Sequence, residues 1–219
     1  MAVLPIFPLG TVLLPGGHLP LQIFEPRYLT LLQDLREREP AERLFGVVAI
    51  RRGHEVGAGR AEDLFAVGCT ARVEAADVVR EEGRPHTIRI ATTGVRRFRL
   101  DELVDTGRPY LTAEVTALSD DESVTRAEAR RLAERLVVTF ARYQRAVGSP
   151  ETLVTGPLER VAAQVTQAMP LPVRERQQIL EAGGDGERLR AALALVQREL
   201  GIVTTFRAVP VPRGEANPN

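Results

Sequence analysis

Pro5, Pro8, Pro15, Pro20 and Pro26 cut the stretch LPIFPLGTVLLPGGHLPLQIFEPRY, residues 4–28, into apolar runs too short for helices. Proline fixes φ at about −65° and offers no amide donor, so the first four read as strand edges and turns with short apolar strands between them. Pro26 reads differently. It follows Phe24 and Glu25 at a position suited to the first residue of a helix, and Leu29, Leu31, Leu32 and Leu35 then form a core-facing stripe ending near Glu39 and Pro40.

Further on, residues 44–52, 64–79, 86–94, 96–104 and 109–118 are β-rich runs separated by glycine, proline or charge, which predicts a mostly antiparallel β-barrel with the first helix inserted into it. Gly94 reads as a turn between two of these strands and Phe98 as a core ring. Gly53, Gly57 and Gly59 begin like a dinucleotide motif, but Glu62 holds the third glycine position and no helical pattern follows, so a flexible loop is expected.

At Ser119–Ser123 the period changes from two to 3.6. Thr125 and Glu128 have capping-box spacing, and Leu132, Leu136, Phe140, Tyr143 and Val147 give a long stripe that Gly148 and Pro150 stop. A second helix runs from Pro157 to Met169, and a short one starts at Pro172 and stops at Gly183. A last one is capped by Asp185 and ends at Gly201. These four predict a bundle packed on the barrel. The class is therefore α+β, with a barrel over residues 1–118, a helical bundle over 123–201 and a flexible tail over 208–219.

Leu4–Leu9, Val12–Gly16 and Pro20–Tyr28 (PLQIFEPRY) resemble the amino-terminal, substrate-binding domain of bacterial-type Lon ATP-dependent proteases. The likeness continues through Phe45-Gly46-Val47-Val48, Val67-Gly68-Cys69, Gly94–Arg99, Pro109-Tyr110 and Met169-Pro170-Leu171-Pro172. It implies a PUA-like barrel and a protein-binding role linked to proteolysis, with an unfolded or degradation-prone polypeptide, or a partner protein, as the ligand.

Several function classes fall away on composition. All 29 basic residues are arginine, so within these 219 residues there is no P-loop lysine, Ser-Lys dyad or Schiff-base lysine. G-x-S-x-G is absent as well, and no enzyme is expected. Cys69 stands alone, and His18, His54 and His86 lack ligand spacing, so neither metal nor cofactor is expected. No apolar run approaches 18 residues and no signal-peptide pattern opens the chain, which predicts a cytoplasmic protein without a membrane span. Net charge is zero and Arg96, Arg97 and Arg99 divide between two strand faces, which disfavours nucleic acid. An RNA-binding PUA-like domain is the alternative reading, and a homo-oligomeric scaffold stays open.

The candidate polypeptide-binding residues are Phe24, Glu25, Arg27, Tyr28 and Arg97. In the first four, aromatic contact and polar orientation would combine in a recognition surface. Packing explains the same residues: Phe24 filling the barrel, Glu25 at the positive helix start, Arg27 paired with Glu25, and Arg97 anchoring a loop through carbonyls. The junction between barrel and bundle, rimmed by loop 53–62, is a further expected place for an apolar groove.

Overall fold

The computed structural model describes residues 2–52, 63–79, 87–120 and 123–206. The expected loop 53–62 and tail 208–219 lie outside the described residues. The described residues form a mixed α+β fold of six strands and five helices that divides into two compact units, one built up to Ser119 plus Val173–Glu181, the other from Asp120–Pro172 and from Ala182 on.

The first unit is a six-stranded sheet with two helices. Strands β1 (Ala2–Leu9), β2 (His18–Ile23), β3 (Leu44–Ala49), β4 (Val67–Val79), β5 (Thr87–Val104) and β6 (Leu111–Ala117) take the order β2-β5-β4-β3-β1-β6. Among the described residues only the β1–β3 pairing is parallel. Helix α1 (Pro26–Arg36) follows β2, with Pro26 in its first turn as the sequence predicts.

Three expectations about the sheet are corrected. Pro5 and Pro8 lie inside β1 instead of bounding it. Pro5 pairs only with Thr112 of β6 and Pro8 only with Val48 of β3, so at each proline one side of the strand needs no ladder donor. Gly94 is no turn either: β5 runs unbroken through it, and a Cβ there would collide with the Leu14 carbonyl, so glycine marks a close backbone approach. Nor is the barrel closed. One edge of β5 pairs with β4, while the other takes β2 over residues 88–93 and then β6 over 98–104, which leaves β2, among the described residues, with β5 as its sole partner and an edge that closure would remove.

Phe98 is the core ring, buried with Ile6, Val48, Leu64, Ala113 and Val115. Gly46 and Gly68 make room for it, since a Cβ at either would come within 2.7 and 2.5 Å of the ring. Tyr28, Leu31 and Leu35 bury one stripe of α1. Each such side chain stabilises the fold by about 2 kcal/mol.

The second unit contains α2 (Arg126–Val147), α3 (Leu158–Ala168) and α5 (Asp185–Phe206). The Thr125–Glu128 capping box forms, and Gly148 ends α2 with φ 66°. Buried Arg188 donates to Asp120 at 3.0 and 2.7 Å and to Asp185 at 2.6 Å, joining the start of α5 to the segment before α2. Helix α5 runs past Gly201, which has open space around its α-carbon and ends nothing. The expected four-helix bundle is also corrected: α4 (Val173–Glu181) belongs to the sheet unit. Its Gln177 amide donates to the Val67 carbonyl of β4 at 2.9 Å, a polar anchor that an apolar stripe does not announce.

Candidate functional site

The turn from β2 into α1 brings three of the five candidate residues together. Glu25 precedes α1 with extended backbone, and its carbonyl accepts from the amides of Tyr28 and Leu29 at 3.0 Å each. Arg27 donates to one Glu25 carboxylate oxygen through Nε at 2.9 Å and through a terminal nitrogen at 2.8 Å. Its guanidinium carbon lies 4.6 Å from the centre of the Tyr28 ring. Tyr28 in turn stacks on Phe7 at 3.8 Å and 12°. Carboxylate, guanidinium and two rings thus form one pile that sets the angle at which α1 leaves the sheet. Tyr28 is buried.

Phe24 stands apart. It is 58% exposed, so the expectation that it fills the interior is wrong. Ile23 takes the inward position at the end of β2, and the alternation of the strand sends the next side chain outward. Arg97 is also apart from the pile, on β5. It is buried, donating to the Ser119 carbonyl at 3.0 Å and, more weakly at 3.4 Å, to the carbonyls of Leu180 and Glu181. The last two are the unpaired carbonyls at the end of α4, where a guanidinium also meets the negative end of the helix dipole. Arg99 pairs with Asp101 at 2.7 Å, so the arginine trio makes no common cationic face.

A groove of about 680 Å³ lies on the same unit, between α1 and the outer part of the sheet. Its geometry follows from register, because directly opposed residues point to the same side of a sheet. The rows are Ile23–Ile88–Val78, Leu21–Ile90–Ala76 and Leu19–Thr92–Val73 across β2, β5 and β4. Leu29 and Leu32 of α1 form the facing wall, half-buried, while Val78 is 61% exposed at the outer row. Arg36 and Arg43 occupy the groove lining as its cationic part. Arg43 is held there by the end of α1, donating to the Arg38 carbonyl at 3.1 Å and the Arg36 carbonyl at 3.4 Å.

None of the five candidate residues lines this groove. Sequence periodicity alone puts Leu29 and Leu32 in the same core stripe as Leu31 and Leu35. The overlooked signal was width: residues 28, 31 and 35 already complete one helical stripe, and 29 and 32 form a second beside it.

Elsewhere on the unit, Tyr110 donates to Asp34 of α1, and Arg108 reaches the same carboxylate at 3.3 Å. Burial, and then the hydrogen bond to Asp34, push the Tyr110 phenol up to about 12. Among the described residues no group of three or more His, Cys, Asp or Glu is placed to hold a metal, and no helix is long and apolar enough to cross a membrane. Cys69 is buried in β4.

This fold and its motifs belong to the ATP-dependent protease La (LON) substrate-binding domain family, whose pattern matches residues 3–198. Among the relatives, the Lon protease of Anaeromyxobacter dehalogenans is 31% identical over 92% of the chain, and Lon protease 2 of Myxococcus xanthus is 30% identical over 92%. The chain covers only 24% of the length of each. The crystal structure of a Lon N-terminal domain protein from Xanthomonas campestris matches with a TM-score of 0.61 and 27% identity, over 89% of this chain and 98% of that one. The N-terminal domain of Mycobacterium avium complex Lon protease has the same fold, with a TM-score of 0.61 at 19% identity, over 90% and 98% of the two chains.

Proposed function

We propose that the chain is a non-catalytic polypeptide-binding module that takes apolar stretches of unfolded or degradation-prone proteins into the α1 groove, in the service of ATP-dependent proteolysis. One observation carries this reading: Leu29, Leu32, Val73, Val78 and Ile88 converge on one open groove whose polar members, among the described residues, are Gln33 and two arginines. Concave apolar surface of this kind is costly in water unless something is meant to cover it. The family's substrate-binding role agrees with that chemistry. Arg36 and Arg43 favour segments that carry an acidic residue beside the apolar run.

Fluorescence anisotropy of a labelled, permanently unfolded polypeptide at two salt concentrations tests it, with labelled single-stranded RNA as the parallel probe. Saturable binding that tolerates salt is expected, weakened about tenfold or more in Val78→Glu, where a charge replaces apolar contact. Unchanged affinity in that variant removes the groove from the argument. Steeply salt-sensitive RNA binding with no polypeptide binding establishes the nucleic-acid alternative instead.

A further inference from the structure

The three strands that line the groove have a second face, and it is built of different chemistry. By the same register it presents the rows His18–Thr93–Arg72, Pro20–Ala91–Ala75 and Gln22–Arg89–Asp77. The middle row is a prolyl ring and two methyl groups, all exposed, so it forms a shallow trough between two polar rows. Rows on one face are about 7 Å apart, and neighbouring strands about 4.8 Å.

Arginine usually finds an acceptor, and here two do not. Among the described residues, neither the Arg72 nor the Arg89 side chain makes a hydrogen bond or an ion pair. Asp77 stands directly across from Arg89 without pairing to it, and Glu74, the extra residue at the bulge between Val73 and Ala75, does not pair with Arg72. The Arg72 Nε–H is shut off from solvent with no partner at all, a standing cost to the folded state. Any carboxylate that draws this guanidinium outward satisfies a donor that the fold leaves orphaned. Thr93, whose hydroxyl lies 3.2 Å from His18 Nδ1, adds a polar group beside it.

We propose that this face is a carboxylate-binding site for an extended acidic segment of polypeptide, with Arg72 and Arg89 closing on it from opposite sides of the Pro20–Ala91–Ala75 trough. The spacing selects the ligand. The two arginines stand two rows apart, about 14 Å, and their side chains are long enough to reach toward each other, so that together they can meet two carboxylates about 7 Å apart, the i and i+2 side chains of an extended chain, better than one compact anion. Asp77 opposes such a ligand and sets its affinity low. The site faces away from the apolar groove and does not depend on the function proposed for it.

Two-dimensional NMR of the arginine Nε–Hε signals tests the site, using the full chain titrated with a short peptide carrying Glu-x-Glu, its Gln-x-Gln counterpart, and inorganic phosphate. The Glu-x-Glu peptide is expected to move the Arg72 and Arg89 signals saturably and the glutamine peptide to leave them in place. Arg89→Gln, at an exposed position that folding does not need, should weaken binding at least fivefold, Asp77→Asn should tighten it about threefold, and the groove variant Val78→Glu should leave it unchanged. Signals that stay in place, equal shifts with the glutamine peptide, or Arg89→Gln binding as tightly as the parent chain each overturn the proposal. Phosphate moving both signals at the same concentration as the peptide also overturns it, because the site is then a point-charge trap with no spacing rule.

Discussion

Two stripes run side by side along α1, offset by one residue, and they meet opposite fates. Tyr28, Leu31 and Leu35 are buried against the sheet, with Leu31 and Leu35 at 1% and 2% exposure. Leu29 and Leu32 remain half-buried and line the groove. Leucine on leucine, the chemistry is the same; what differs is the surface opposite. In the inner stripe Tyr28 stacks on Phe7 at 3.8 Å, and Phe7 in turn meets Phe45 at 5.9 Å. The outer stripe faces the outer strand rows that end at Val78 and Ile88. Hydrophobic residues therefore serve stability or recognition according to what the rest of the fold places within reach.

The largest expected effect falls on the inner stripe. Leu31→Ala should cost about 3 kcal/mol, read as a lower urea midpoint with unchanged slope, because removing most of a fully buried leucine side chain leaves a cavity. A cost below about 1 kcal/mol would erase the distinction between the stripes. Next comes the pin that ties α1 to the sheet. The Tyr110 phenol is raised in the fold from 10.0 to about 12, so the neutral form is favoured and its contribution is complete below pH 10. As pH climbs from 10 towards 12 that contribution is lost. Tyr110→Phe should abolish this alkaline step and cost about 1 kcal/mol at neutral pH, since Asp34 keeps Arg108. Urea midpoints measured at pH 8, 10 and 11 distinguish the two chains.

What was legible in the sequence is what short-range physics decides. Pro26 in the first turn of α1, the Thr125–Glu128 box and the left-handed Gly148 each depend on neighbours within a few residues. The Glu25–Arg27 pair, two positions apart, is equally local. The rest depended on partners far along the chain. Arg97 reaches a carbonyl 83 residues away and Gln177 one 110 residues away, and these contacts, invisible to periodicity, place α4 beside β4 instead of among the helices. Gly94 looked like a turn because its real cause, the Leu14 carbonyl, comes from another loop. The groove escaped for a related reason. A half-buried leucine and a buried one are written with the same letter, and only the register of β2, β5 and β4 separates them.

The smallest expected change in stability is the most informative about function. Leu32→Glu places a carboxylate where the side chain already meets water, so its folding cost should stay within about 0.5 kcal/mol. Its effect on polypeptide affinity should be about tenfold or more, because the charge must be desolvated whenever an apolar segment enters the groove. The ratio of those two effects is the test. Leu31→Ala should show the reverse ratio, a large loss of stability with near-normal affinity per folded molecule. If Leu32→Glu instead unfolds the protein as far as Leu31→Ala does, the outer stripe is core after all, and the groove is a packing defect with no ligand of its own.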